Sequence, residues 1–272
     1  MIPVVRTKAA LARLVASWRK KGLSVGFVPT MGALHAGHAA LVRRAGAEND
    51  RVIISVFVNP LQFGPNEDYG RYPRALPADR RLVAAAGAAA MYAPSSKEMY
   101  PKKFHTHVEV SGISDLYCGK YRPGHFRGVA TVVLKLFNQV RPDRAYFGEK
   151  DWQQVRILED MIRDLDVDVA LVRVPIVREK DGLALSSRNA YLSPAERRAA
   201  WRLRAALLQG AKSGRQAEKT VRRALAGSGL KLQYARLVDA DSLASPTSMT
   251  RRKRLLAAAY LGRTRLIDNA PA

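Results

Sequence analysis

The chain has 272 residues, 47% of them hydrophobic and 25% charged, with 46 Lys or Arg against 23 Asp or Glu and a formal charge of +23. Such usage excludes a wholly disordered chain, and the lack of a Gly-X-Y period excludes collagen. The charge points to an anionic partner or a strongly solvated surface and leaves the fold open. In chain order, residues 25–28 form a short apolar run closed by Pro29, and residues 34–47 place Leu34, His38, Leu41, Val42 and Ala45 at helical spacing. Residues 52–58 read as a strand buried on both faces, stopped at Asn59-Pro60. Residues 76–86 read as a helix, 88–93 as an inner strand, 129–140 as a helix, 145–147 as a strand, 152–165 as a helix and 167–174 as a strand. Strands alternating with helices predict βαβ units and a mainly parallel sheet.

The pattern changes after Pro175, where a basic helical stretch over 194–228 precedes strands at 232–238, 255–260 and 265–267. This predicts an α/β domain over 1–175 and a smaller α+β domain over 176–272. Between Arg197 and Arg254 stand 15 Lys or Arg and three acids, Glu218, Asp239 and Asp241. A nucleic-acid surface has this character, and so does a solvated helix face. Only Trp201 and Tyr234 supply aromatic rings there for stacking bases, so the expectation is solvated surface and no nucleic-acid partner. Cys118 is the only cysteine, which permits no intramolecular disulfide and fits a cytoplasmic protein. The first residues show no signal peptide, and the weakly polar stretch 82–94 falls short of the roughly 20 apolar residues of a membrane span.

The segment Val28-Pro29-Thr30-Met31-Gly32-Ala33-Leu34-His35-Ala36-Gly37-His38 runs from a strand through a small-residue turn into a helix. Backbone N–H groups at a helix N-terminus attract anions, and Gly32 and Gly37 permit close approach. His35 and His38 are three apart, on one helix face, where both can donate to a phosphoryl group gaining charge. The spacing also suits two metal ligands, but no third stands nearby. Neither G-x-G-x-x-G nor G-x-x-x-x-G-K-[ST] is present, so dinucleotide-binding and P-loop readings lack their phosphate cradles. Asn59 and Gln62 follow one strand, and Gly148-Glu149-Lys150-Asp151 follows another, where open α/β sheets bind ligands. Lys150 suits a phosphate and Asp151 a ribose, with Gln154 one helical turn beyond Lys150. Ser186-Ser187-Arg188-Asn189, behind Lys180-Asp181-Gly182, suits a phosphate clamp or an ordinary helix cap.

Together these segments resemble the pantoate–β-alanine ligase family, nucleotidyltransferases related to class I aminoacyl-tRNA synthetases. The blocks are Pro29-Thr30-Met31-Gly32 with His35-Ala36-Gly37-His38, then 57–63, Arg71-Tyr72-Pro73-Arg74, 122–128, 147–151, 181–189 and Arg265-Leu266-Ile267-Asp268-Asn269. They span nearly the whole chain. The resemblance implies a Rossmann-like nucleotidyltransferase domain, then the smaller C-terminal lid domain. It implies ATP with Mg²⁺, pantoate and β-alanine as small-molecule substrates, a pantoyl-adenylate intermediate and a homodimer. By resemblance, Met31, Gly32, Ala33, Leu34, His35, Ala36, Gly37 and His38 hold ATP, with His38 as proton donor. Lys150 stabilises the transferring phosphoryl, beside Gly148, Glu149 and Asp151 near the ribose. Val177, Leu185, Ser186, Ser187 and Arg188 close over adenine and phosphates. Gln62 and Gln154 grip pantoate with Asn59, Gln62 also facing β-alanine. Phe57, Val129, Val132 and Val133 shelter the pantoate methyls or are ordinary core. Asp79 lies in a stretch the family uses near metal, but Ala78 and Arg80 beside it are not acidic, so no protein metal ligand is expected. The rivals are an adenylyltransferase with a phosphate acceptor, which would favour more Arg or Lys near Asn59, Gln62 and Gln154, and a nucleic-acid-binding module.

Overall fold

The computed structural model describes residues 1–65 and 67–272. The chain forms two compact units, one of Met1–Glu149 with Ile157–Pro175 and one of Lys150–Arg156 with Ile176–Ala272.

The first unit carries strands β1 (Val4–Val5), β2 (Val25–Thr30), β3 (Arg51–Val56), β4 (Ala90–Tyr92), β5 (Arg144–Gly148) and β6 (Ala170–Val174). They make one parallel sheet in the order β1-β4-β3-β2-β5-β6. From β2 the chain winds outward through β3 to β4, then returns to lay β5 and β6 on β2's other side. That reversal opens a crevice between the carboxyl ends of β2 and β5. Pro29 was expected to end β2, yet the strand continues to Thr30. Its missing N–H would face β5, and β5 pairs only with Gly26 and Phe27, so no ladder bond is lost. Helices α1 (Lys8–Arg19), α2 (Ala36–Glu48), α3 (Leu76–Ala85), the short α4 (Ser96–Met99) and α5 (Cys118–Tyr121), α6 (His125–Val140) and α7 (Trp152–Asp164) supply the connections. Strand alternation sends Val28, Val52, Ile54 and Met91 toward Ala39, Val42 and Ala45 of α2 and Val83 of α3. The opposite face sends Phe27 edge-on to Phe137 of α6, with ring centroids 6.4 Å apart. Each such fully buried side chain contributes about 1.5–3 kcal/mol.

The second unit packs an antiparallel sheet, β7 (Leu230–Asp239), β8 (Lys253–Leu261) and β9 (Thr264–Pro271), under helices α8 (Pro194–Ala199), α9 (Arg202–Ala211) and α10 (Ala217–Leu225). Leu203 and Leu207 of α9 and Val221 and Leu225 of α10 bury against Leu255, Ala257 and Leu266. The helical stretch expected over 194–228 is thus three helices, the last two separated by a 3₁₀ turn at Gly214–Gln216, where Gly214 takes φ +51°. Among the described residues no helix is long and apolar enough to cross a membrane.

Candidate active site

Between β2 and α2 the backbone turns through two consecutive left-handed residues, Gly32 (φ +89°) and Ala33 (φ +51°). A Cβ on Gly32 would lie 2.9 Å from Val56 Cγ1, so the position has neither the dihedral nor the space for a side chain. Ala33 has no such licence, and its conformation costs roughly 1–2 kcal/mol. Asp79 of α3 holds it there. Asp79 Oδ2 accepts from Ala33 N–H at 3.1 Å and Oδ1 from Leu34 N–H at 2.8 Å. The carboxyl group is 3% exposed, and burial pushes its pKa up against the two N–H bonds that pull it down. Thr30 Oγ1 completes the turn, accepting from Gly32 N–H at 3.2 Å.

His35 is the N-cap of α2 and His38 its third residue. His35 Nδ1 accepts from Gly37 N–H at 3.1 Å, and His38 Nδ1 accepts from His35 N–H at 3.3 Å. This is a capping box made by two imidazoles. A ring nitrogen that accepts carries no proton, so the bonding places the proton of each neutral ring on Nε2. The rings lie against each other with centroids 4.1 Å apart. The N–H groups of Gly32, His35 and Gly37 are bonded within the turn and those of Ala33 and Leu34 to Asp79 of α3, and the two imidazole caps carry their donor hydrogens on Nε2.

Beyond β3 the chain folds into a 3₁₀ turn, Pro60–Gln62, capped by Asn59. Asn59, 1% exposed, donates to Gln62 Oε1 (3.0 Å) and Gly128 O (3.1 Å), and its Oδ1 accepts from Leu61 N–H (3.3 Å) and Tyr100 Oη–H (2.7 Å). Both amide protons and both lone pairs are thereby used. Asn59 therefore positions Gln62. Burial pushes the Tyr100 phenol up, which keeps it a donor. Gln62 Nε2 reaches Met31 Sδ at 3.0 Å, joining the β3 turn to the β2 turn. The block 122–128, which had no role in the sequence, supports the same turn. Glu67 holds Arg122 through two bonds of 2.6 Å, Arg122 donates to His125 Nε2 at 2.9 Å, and His125 Nδ1–H then donates to Gln62 O at 2.8 Å. Phe57 and the α6 residues Val129, Val132 and Val133 are all buried, as ordinary core would be. Gly148 ends β5, and Glu149 is the last residue of the first unit before Ile157.

Lys150, Asp151 and Gln154 belong to the second unit. Lys150 Nζ lies 3.6 Å from Asp151 Oδ2. In the same unit a tight hairpin brings Val177 and Leu185 together, with Leu185 N–H donating to Val177 O at 3.0 Å, Glu179 N–H to Leu183 O at 2.8 Å, and Gly182 at φ +91°. Ser186 follows as cap of the 3₁₀ turn Ser187–Tyr191, its Oγ accepting from Arg188 N–H at 3.3 Å. Arg197 braces the hairpin by donating to Glu179 and Asp181. Among the described residues no three His, Cys, Asp or Glu converge as a metal would require. Asp79, His125 and Glu67 are the structural contributors that sequence reading left without these roles, and Asn269 is another, its side chain donating to Lys150 O. Blocks 122–128 and 265–269 were the available signal.

Comparison with protein families finds pantoate-beta-alanine ligase matched across residues 3–271. The pantothenate synthetase of Sphingopyxis alaskensis is 52% identical over 275 residues, covering 98% of this chain and 99% of that one. The crystal structure of pantothenate synthetase from Thermus thermophilus superposes with a TM-score of 0.92 at 47% identity, covering 99% of each chain. A pantoate-beta-alanine ligase from Francisella tularensis, solved in complex with beta-gamma ATP and beta-alanine, gives 0.85 at 35% identity over 100% of this chain and 98% of that one. With the six-stranded parallel sheet, the small antiparallel sheet and the histidine-capped turn all in place, the chain belongs to the pantoate-β-alanine ligase family.

Proposed function

We propose that this protein condenses pantoate with β-alanine at the expense of ATP, releasing AMP and pyrophosphate, through a pantoyl-adenylate intermediate. The observation that carries the reading is the imidazole pair at the β2 carboxyl end, with both Nδ1 atoms engaged by backbone N–H. Two preorganised Nε2–H donors suit a reaction whose main demand is spreading phosphoryl charge. The carboxylate of pantoate attacks the α-phosphorus and pyrophosphate leaves. His35 and His38 donate hydrogen bonds from Nε2–H to the phosphate oxygens, the His38 bond strengthening as charge develops, and the Lys150 ammonium offsets the transferring phosphoryl. The β-alanine amine then attacks the acyl carbonyl and AMP departs. Gln62 and Gln154 hold the polar groups of pantoate, and Gln62 also faces β-alanine. Phe57, Val129, Val132 and Val133 meet the methyls of pantoate. Gly148, Glu149 and Asp151 approach the ribose, and Val177, Leu185, Ser186, Ser187 and Arg188 cover adenine and phosphates.

ATP enters as its magnesium complex, since Mg²⁺ keeps waters and phosphate oxygens as most of its ligands. Asp79, with both oxygens taken by N–H groups, is assigned no part in holding it. The family likeness favours a homodimer, and the lone buried Cys118 suits the cytoplasm.

Labelled pyrophosphate exchange tests the order of steps. Exchange into ATP is expected with Mg²⁺ and pantoate and no β-alanine, and none without pantoate. Exchange that waits for β-alanine would overturn the two-step reading, and exchange indifferent to pantoate would favour a different acceptor.

A further inference from the structure

Lys150 stands two residues beyond β5, yet its backbone is held from the other end of the sequence. Asn269 on β9 donates from Nδ2 to Lys150 O at 3.1 Å, across 119 residues. The Oδ1 of the same side chain accepts from Arg254 Nη1 at 2.6 Å. The Arg254 guanidinium carbon lies 3.4 Å from the centroid of the Trp152 ring, and Trp152 Nε1–H donates to Ala240 O at 3.0 Å. All three side chains are buried, Trp152 to 1%, Asn269 to 2% and Arg254 to 7% exposure. They form a closed knot on the C-terminal sheet, from which the Lys150 side chain projects.

We propose that Asn269 is a positioning residue for Lys150, setting the origin from which its ammonium reaches the reacting phosphate. The inference rests on the role given to Lys150 above. A lysine stem has four rotatable bonds, so the ammonium is placed only as well as its backbone is fixed. The position needs a donor on one side and an acceptor on the other, separated by a single planar group. An amide of this length supplies both. Leucine has neither, aspartate keeps the acceptor toward Arg254 but sets a carboxylate oxygen against the Lys150 carbonyl, and glutamine is a methylene too long. The knot also accounts for residues Lys150–Arg156 grouping with the C-terminal unit.

Asn269→Asp tests the bond, because it keeps the partner of Arg254, removes the donor to Lys150 and turns a carboxylate oxygen against the Lys150 carbonyl. A misplacement of about 1 Å costs on the order of a hundredfold in rate. Pyrophosphate exchange by Asn269→Asp is therefore expected to lose roughly ten- to a hundredfold in kcat, with the KM for ATP within about threefold of wild type and an unchanged circular dichroism spectrum. In a Lys150→Ala background the same substitution should lower the residual rate no further, because residues acting through one group are non-additive. Should Asn269→Asp fold poorly, Trp152→Phe takes its place. It keeps the plate under Arg254, removes the tether to Ala240, and should lower kcat only when Lys150 is present. Wild-type kcat in a folded Asn269→Asp protein would overturn the inference, and so would an equal loss in the two backgrounds. Wild-type exchange by Lys150→Ala alone would overturn it differently, by removing the role of the lysine itself.

Discussion

Gly128→Ala puts helix propensity and tertiary contact in opposition, and their magnitudes predict which prevails. Gly128 lies inside α6, where alanine in place of glycine stabilises a helix by about 1 kcal/mol. A Cβ there would stand 2.2 Å from Leu61 O, 2.4 Å from Leu61 C and 2.7 Å from Gln62 N, against an ordinary contact of 3.4 Å or more. The 59–62 turn and α6 must then separate by about 1 Å, and forced overpacking of this kind costs about 1–3 kcal/mol. All the crowding atoms are backbone, so no side-chain rotation relieves it. The turn that moves carries the Gln62 amide, and Asn59 Nδ2 loses its bond to Gly128 O as it moves. The variant is expected to melt lower by a few degrees and to raise the KM for pantoate and β-alanine about tenfold or more. Thermal melts and steady-state kinetics on the purified protein read both. A variant that melts higher than wild type with unchanged KM would show that propensity governs and that the seating of the turn on α6 is immaterial.

Asp79→Asn leaves one oxygen for the two N–H groups of Ala33 and Leu34 and sets an amide donor against the other, so urea unfolding should show a loss of about 1–3 kcal/mol together with weaker exchange; wild-type stability would refute the clamp. The Arg197 hydrogen bond, helped by Leu183 N–H, holds the Asp181 carboxyl below the usual carboxylate range against a smaller effect of burial. Its stabilising effect is therefore present above the unfolded pKa of about 3.9 and is lost as pH falls through the folded value. Asp181→Asn should lower stability at pH 7 and flatten the acid limb of a melting-temperature profile, and an unchanged limb would exclude the pairing. Arg222 and Arg223 are exposed on α10 and carry no ion pair among the described residues, so changing both to Gln should weaken heparin retention and leave turnover intact; a large fall in turnover would refute the solvated-face reading.

Legibility in the sequence followed the range of the forces involved. β3 was readable because Val52, Ile53 and Ile54 are buried on both faces of a parallel sheet, leaving a continuous apolar run. β1 was not, because two residues acquire strand character only by pairing with Met91 and Tyr92. α1 escaped notice because its buried positions reduce to Leu11 and Val15 in an Ala-rich stretch. Within the site, the spacing of His35 and His38 is local and was legible. The Asp79 clamp spans 45 residues to Leu34 and was not. A boundary near 176 follows chain order, whereas Lys150–Arg156 joins the second unit through contacts such as that of Trp152 with Ala240, 88 residues away.

The choice of histidine at both positions of the α2 cap separates stability from chemistry. A capping box needs an acceptor at the N-cap and another three residues on, and serine with glutamate supplies both. The chain builds such a box at Ser193 and Glu196 at the start of α8. At α2 the same two backbone bonds are made instead by imidazole Nδ1 atoms. Capping alone gives no reason for the substitution, since serine, threonine, asparagine and aspartate are the preferred N-caps. What the imidazoles add is a second nitrogen, which the cap itself turns into a donor by occupying the first. The same backbone bonds that start the helix thus fix the tautomer that the proposed chemistry would use. A protonated ring would set Nδ1–H against a backbone N–H, so each ring can serve cap and donor together only while it is neutral.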